Sequence, residues 1–235
     1  MCSDCFNRPI TGVASRTIKL LDRVSSDFNR TFRLTGTTTE ALNFSSYNYL
    51  GFSDNTGPCA DAVEHATKEY GITAVSPRSE VGTTQHIQEL ERMVARFVGK
   101  EDAMCVSMGF ATNSTTIPAL VGKGCLVISD ELNHSSIIFG VRLSGASVRV
   151  FKHNNMDDLR ELLRECISQG QPRTHRPWRK ILVIVEGLYS MEGTIVNLPE
   201  VIELKKEFKV KKKNDIKKSS PPFNFKLIAV LFVCG

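Results

Sequence analysis

From residue 103 to residue 209, short runs of apolar residues alternate with stretches in which apolar positions recur every three or four residues. The first kind predicts strands at 103–108, 125–129, 147–151 and 181–185, and the second predicts helices over 111–121, 135–143 and 156–168. Strands joined by crossover helices make a mainly parallel sheet, so the predicted fold class is α/β. The run from Ile181 to Val185 is apolar at every position, as expected of a strand covered on both faces. Asn154 or Asn155 is placed to cap the helix that follows.

Upstream, 58–70 and 84–98 also read as helices, the second with Leu90, Val94, Phe97 and Val98 on one face. A further helix over 199–208 opens with Pro199 in its first turn. The alternation then asks for a strand just after Lys209, and the sequence instead turns lysine-rich through residues 210–222. It ends in an apolar run at 227–234, far short of the roughly 20 residues that span a bilayer. The expectation is an unrelated tail, poorly ordered or loosely packed, with a membrane or partner anchor as the other reading.

Composition changes this picture little. The chain has 235 residues, 41% hydrophobic and 23% charged, which is ordinary for a globular protein. Its net charge of +5 is concentrated between Lys205 and Lys218 rather than spread over a patterned face, so no nucleic-acid partner is implied. The N-terminus carries no apolar run of a secretory signal or spanning helix, and a cytoplasmic setting is expected from the residues alone. Seven cysteines without framework spacing read as reduced thiols. Cys2 and Cys5 form a C-x-x-C pair with no second pair or nearby histidine, so no metal site is expected.

No G-x-G-x-x-G, G-x-S-x-G or H-E-x-x-H signature occurs. Gly122-Lys123-Gly124 lacks the earlier glycine and the following hydroxyl of a nucleotide loop. Three other segments fall at carboxyl ends of predicted strands, where α/β sheets collect ligands. Met108-Gly109-Phe110-Ala111-Thr112-Asn113-Ser114 opens a helix, whose amides suit a phosphate; taken alone, such a turn is more often plain structure. Ser129-Asp130-Glu131-Leu132-Asn133-His134-Ser135-Ser136 offers His134 either as a ring to stack on a planar cofactor or as a helix cap. Glu186-Gly187-Leu188-Tyr189-Ser190-Met191-Glu192-Gly193 adds a hydroxyl and two carboxylates.

These segments, preceded by Ser46-Tyr47-Asn48-Tyr49-Leu50-Gly51, by Arg78 with Gly82, and by His86-Ile87-Gln88-Glu89-Leu90-Glu91, resemble the α-oxoamine synthase family in order and spacing. Ala119-Leu120-Val121-Gly122-Lys123-Gly124 and residues 170–178 are similar to the branch that uses serine. The resemblance implies a fold-type-I transferase large domain, three-layered α/β/α with an incomplete, mostly parallel sheet. It implies an N-terminal segment over 1–42, the partial large domain over 43–209 and the tail over 210–235. It further implies pyridoxal 5'-phosphate as cofactor and a decarboxylative condensation of L-serine with palmitoyl-CoA to a 3-keto sphingoid base. A partner subunit at the cytosolic face of the endoplasmic reticulum would supply membrane association.

Carried over by motif, Gly109 and Phe110 would meet the cofactor phosphate, His134 would stack on its ring and Ser190 would contact it, with Tyr47, Asn48 and Arg78 on the substrate side. Two departures bear on this. Gly71-Ile72-Thr73 and Pro77 replace the family's usual pattern before Arg78. The Asp-Glu-Ala-His motif that holds the ring nitrogen and the Thr-x-x-Lys whose lysine forms the Schiff base do not occur, so the catalytic lysine is missing and these residues are expected to be inactive alone. The alternatives are another synthase of the family, using glycine or alanine with a different acyl-CoA, and a non-catalytic chain that binds the partner subunit.

Overall fold

The structure is a computed structural model that describes residues 7–48, 50–210 and 224–230, with residues 209, 210 and 224–230 described by backbone course alone. Two compact units divide the chain, one up to Ala103 and the other from Met104 onward.

The first unit opens with a three-stranded antiparallel sheet, β1 (Ile10–Thr11), β2 (Thr17–Val24) and β3 (Arg33–Leu42), in that order. β3 is threonine-rich and exposed at nearly every position. Its Thr37 and Thr39 hydroxyls donate to the Asp22 carboxylate on β2 at 2.8 and 2.7 Å. In the turn between β2 and β3, the Thr31 amide and the Thr31 and Ser25 hydroxyls donate to Asp27 and hold its carboxyl down to about 2.

Two helices follow, both where the sequence predicts them. α1 (Pro58–Tyr70) starts after Gly57 with proline in its first turn. α2 (Gln85–Phe97) is capped by Thr84, whose hydroxyl accepts from the Ile87 amide at 3.4 Å. The apolar stripe expected on α2 exists but is not buried. Ala95 is its buried residue, whereas Leu90, Val94 and Val98 are well exposed and Phe97 is 90% exposed.

In the second unit the predicted strand at 103–108 does not form. That segment enters no ladder among the described residues. A strand exists through pairing, and apolar composition without a neighbour leaves only extended chain. After it come α3 (Gly109–Leu120), β4 (Leu126–Asp130), α4 (Ser135–Ser144), β5 (Ser147–Phe151), α5 (Met156–Gln169) and β6 (Lys180–Glu186), each within a few residues of its predicted span. Asn155, not Asn154, caps α5, its side chain accepting from the Asp158 amide at 3.0 Å. A short hairpin, β7 (Leu188–Tyr189) and β8 (Thr194–Ile195), leads to α6 (Leu198–Val210).

A further strand, β9 (Asn224–Val230), departs from the expected loosely packed tail, since this part of it pairs with the sheet. It lies parallel to β6, with Lys180 opposite Asn224 and Glu186 opposite Val230. An apolar run too short for a bilayer is the right length for a strand, and the open edge of β6 offers it backbone partners. The lysine-rich residues 211–223, like Cys2 and Cys5, lie outside the described residues.

The sheet order is β5-β4-β6-β9, all parallel. Side chains of β4 and β6 point alternately into two cores. Leu126, Ile128, Ile181, Val183 and Val185 pack with Leu159, Leu163, Val201 and Leu204 of α5 and α6. Val127, Leu182 and Ile184 pack with Ile117, Ile137 and Val141 of α3 and α4. β5 is an edge strand with an exposed middle, and its Arg149 pairs with Glu165 at 3.0 Å.

Leu159 is fully buried between sheet and helix, so Leu159→Ala should cost about 2–5 kcal/mol. Phe97→Ala on the exposed stripe of α2 should stay within about 0.5 kcal/mol. Urea unfolding of the two variants checks this, and equal losses would overturn the two-core description.

Candidate functional site

The carboxyl ends of β4 and β6 are where the apolar runs stop and polar side chains begin. Asp130 and Glu186 close these strands, both with less than a tenth of their surface exposed. The loops that leave them carry His134 and Ser190.

Beside this edge α3 begins. Its cap position is Met108, in extended backbone, and no side chain among the described residues caps the helix. The first-turn amides, Gly109 and Phe110 among them, therefore point their N–H groups outward at the positive end of the helix. A Cβ built on Gly109 would meet nothing within 4 Å, so there is open room over the helix start. Phe110 stands edge-on to His134, ring centroids 6.5 Å apart, and its other neighbour is Phe139 at 5.8 Å.

His134 turns out to be the cap of α4 as well as an exposed ring at the site. Its Nδ1 accepts from the Ser136 amide at 3.1 Å and lies 2.7 Å from the Ser136 hydroxyl. With Nδ1 occupied as an acceptor, the neutral ring carries its proton on Nε2. Asn113 of α3 donates to the same Ser136 hydroxyl at 3.0 Å. A side chain at Gly140 would lie 2.7 Å from the Asn113 carbonyl, so glycine is what lets α3 and α4 approach. The backbone N–H of His134 donates to Glu186 Oε1, and the Glu186 amide donates to the Tyr189 hydroxyl at 3.2 Å. Burial pushes the Glu186 carboxyl above its ordinary value, against the opposing pull of the His134 N–H and ring. Burial likewise raises Tyr189.

Ser190 is exposed in the β7–β8 turn that leaves β6, on the same edge as Gly109, Phe110 and His134. The residues expected on the substrate side, Tyr47, Asn48 and Arg78, belong to the first unit, where Asn48 and Arg78 bond within that unit. Tyr47 is exposed. Asn48 donates to the Ala14 carbonyl at 2.9 Å and accepts from the Ser53 amide at 3.2 Å. Arg78 pairs with Glu91 at 2.8 Å. Gly82 is obligatory, since an added Cβ would lie 1.8 Å from the Ser76 carbonyl oxygen.

Sequence reasoning missed Asp130, His153, Tyr189 and Thr194 as a group, which meet beneath this edge. The available signal was a carboxylate closing an apolar strand. Among the described residues no cluster of ligands suits a metal ion. Outward helix amides, an exposed planar ring and a free-standing hydroxyl suit a planar group that carries a phosphate.

Comparison with known proteins agrees with this chemistry. The pattern of the family "Aminotransferase class I and II" matches residues 39–212. Serine palmitoyltransferase 2 of Schizosaccharomyces pombe is 56% identical over 207 residues, covering 88% of this chain and 34% of its own length. Serine palmitoyltransferase 3 of Homo sapiens is 51% identical over 207 residues, covering 88% of this chain and 38% of its own. The chain thus spans little more than a third of the curated relatives it matches. Among solved structures, serine palmitoyltransferase of Sphingomonas wittichii superposes with TM-score 0.68 at 28% identity, over 86% of this chain and 44% of that one. A variant from S. paucimobilis with bound PLP-myriocin aldimine has TM-score 0.65 at 27% identity, over 84% of this chain and 44% of that one.

Because the folded state favours neutral Glu186, that contribution is complete below about pH 4.5 and is lost as pH rises through the raised value. Glu186→Gln keeps an acceptor for the His134 N–H and removes the titration. Its melting temperature, relative to the parent chain, should therefore climb from acid to neutral pH. Parallel pH profiles for the two proteins would show that Glu186 ionises without cost.

Proposed function

Since the chain belongs to the class I and II aminotransferase family, with the fold-type-I transferase architecture of its structural neighbours, we propose that it is the cofactor-cradling part of a serine palmitoyltransferase catalytic subunit. The reaction is the pyridoxal-phosphate-dependent condensation of L-serine with palmitoyl-CoA, releasing carbon dioxide and coenzyme A and yielding 3-ketosphinganine. The observation that carries this reading is the convergence of the uncapped start of α3, the His134 ring and the Ser190 hydroxyl on one sheet edge. The identity of 51–56% with relatives named serine palmitoyltransferase supports this branch over other synthases of the fold.

In this reading the amides at Gly109 and Phe110 take the phosphate, in the manner of helix N-termini generally. His134 lies against the ring face, held there because Nδ1 is tied to Ser136 and its own N–H to Glu186. Ser190 contributes a hydroxyl, and Phe110 shields the ring edge from water. When bound, the cofactor supplies the electron sink for negative charge developing at the amino acid's α-carbon. Tyr47, Asn48 and Arg78 serve the substrate. No residue of this chain stands in an Asp-Glu-Ala-His or Thr-x-x-Lys motif, so these 235 residues hold the cofactor without completing a turnover.

Assembly with a second subunit, which would bring the complex to the endoplasmic reticulum membrane, belongs to the same proposal. Among the described residues no helix is long and apolar enough to cross a membrane.

The test is to titrate the purified chain with pyridoxal phosphate, then add serine and palmitoyl-CoA. Saturable binding without keto product is the expected result. Gly109→Asp, which sets a negative charge at the phosphate position, should weaken binding at least about tenfold, the scale of a lost charge-assisted contact. Binding indifferent to Gly109→Asp would remove the phosphate assignment, and turnover by the chain alone would remove the argument from the missing lysine.

A further inference from the structure

Beneath the sheet edge lies a buried polar chain to which the cofactor reading gives no task. Asp130, its side chain 1% exposed, accepts from the backbone N–H of Leu132 at 2.9 Å and of Asn154 at 3.3 Å. His153 Nδ1 lies 3.0 and 3.1 Å from the two Asp130 oxygens. On the other side of the ring, Nε2 is 2.7 Å from the Thr194 hydroxyl and 3.3 Å from Asn154 Nδ2.

The Asn154 amide cannot be turned round, because its Nδ2 donates to the Ile195 carbonyl at 2.9 Å while its Oδ1 accepts from the Asn197 amide at 3.1 Å. A ring nitrogen faced by an amide N–H has to be an acceptor. His153 therefore carries its proton on Nδ1, donated to Asp130, and accepts at Nε2 from the Thr194 hydroxyl. The ring also stands edge-on to Tyr189 at 4.4 Å. The Tyr189 hydroxyl accepts from the Glu186 amide, and Glu186 in turn holds the His134 N–H. One connected path thus runs from Thr194 on β8 through the ends of β5, β4 and β6 to His134.

The β7–β8 hairpin needs such a hold. Its ladder is two residues long on each side, and an isolated two-stranded hairpin is marginal even at greater length. Ser190 and Met191 at its tip are exposed.

We propose that His153 and Asp130 are positioning residues that latch the β7–β8 hairpin, and with it Ser190, onto the sheet edge that carries His134. The inference rests on the proposed function only for what the latched residues would meet; the latch itself is a property of the unliganded chain.

The test uses the full chain labelled with 15N at histidine, together with amide hydrogen exchange, for the parent, Thr194→Val and Thr194→Ser. Thr194 is chosen because it is partly exposed and its valine isostere fills the same space. The ring nitrogens of His153 should report a proton on Nδ1 and a bare acceptor at Nε2. Exchange at the Gly187–Val196 amides should quicken about fivefold or more in Thr194→Val, the scale of one lost hydrogen bond, with β4 and β6 amides unmoved. Thr194→Ser should restore slow exchange, which a mere packing effect would not. A proton on Nε2, unaltered hairpin exchange in Thr194→Val, or failure of the serine variant to rescue would each overturn the latch.

Pyridoxal phosphate titration of the same proteins separates the two claims. A several-fold weaker affinity in Thr194→Val supports both. A loosened hairpin in a chain whose parent binds no pyridoxal phosphate leaves the latch standing and removes the cofactor reading. Unaltered exchange removes the latch whatever the cofactor does.

Discussion

Burial of β6 on both faces is the constraint from which the second unit follows. Each of the five residues Ile181–Val185 is at most 1% exposed, so helices must cover the strand from both sides and its polar atoms must find partners along the sheet. Polar side chains are then displaced to the strand's ends. At the carboxyl end this concentrates Asp130 and Glu186 where water is scarce, and a buried carboxylate needs donors. The His134 N–H at Glu186, and the Leu132 N–H and His153 ring at Asp130, meet that need. What reads as a site is in this sense the way the sheet finds partners for its buried polar groups.

The first unit obeys a different balance. Beside its backbone ladders, hydroxyl donors to Asp22 brace its sheet and donors to Asp27 its β2–β3 turn, none of its strand residues is buried, and the apolar residues of α2 stay mostly in solvent. Hydrogen bonds at an exposed surface contribute little each, because water competes for the same groups. The second unit, with its two apolar clusters, carries most of the area that stabilises folding.

How legible each element was depended on whether its cause is local. Strands β4, β5 and β6 and helices α3 to α5 follow from composition and period, which a sequence displays directly. Residues 103–108 read as a strand on the same grounds, yet a ladder is a relation between two segments and composition supplies only one. β9 is the reverse case: its apolar run is short beside a membrane span, yet it matches the open edge of β6, a partner that composition does not display. β2 and β3 are not legible from the pattern, because the polar threonines of β3 hide the alternation. At the site, Gly109, Phe110, His134 and Ser190 could be proposed from motif and strand ends, whereas Asp130 and His153 stand 23 residues apart and meet only because β4 and β5 are neighbours in register.

His134 shows why a bland and a functional reading of one residue need not compete. As a cap, its Nδ1 is committed to the Ser136 amide, which removes a rotational choice from the ring and fixes which nitrogen faces outward. Its backbone N–H is committed to Glu186, which fixes the height of the ring above the strand ends. A side chain that must lie flat against a ligand gains most when its orientation is set before the ligand arrives, since the ordering cost falls on folding and not on binding. The capping role thus supplies the preorganisation that a stacking role requires, and replacing His134 by a poorer cap would loosen both at once.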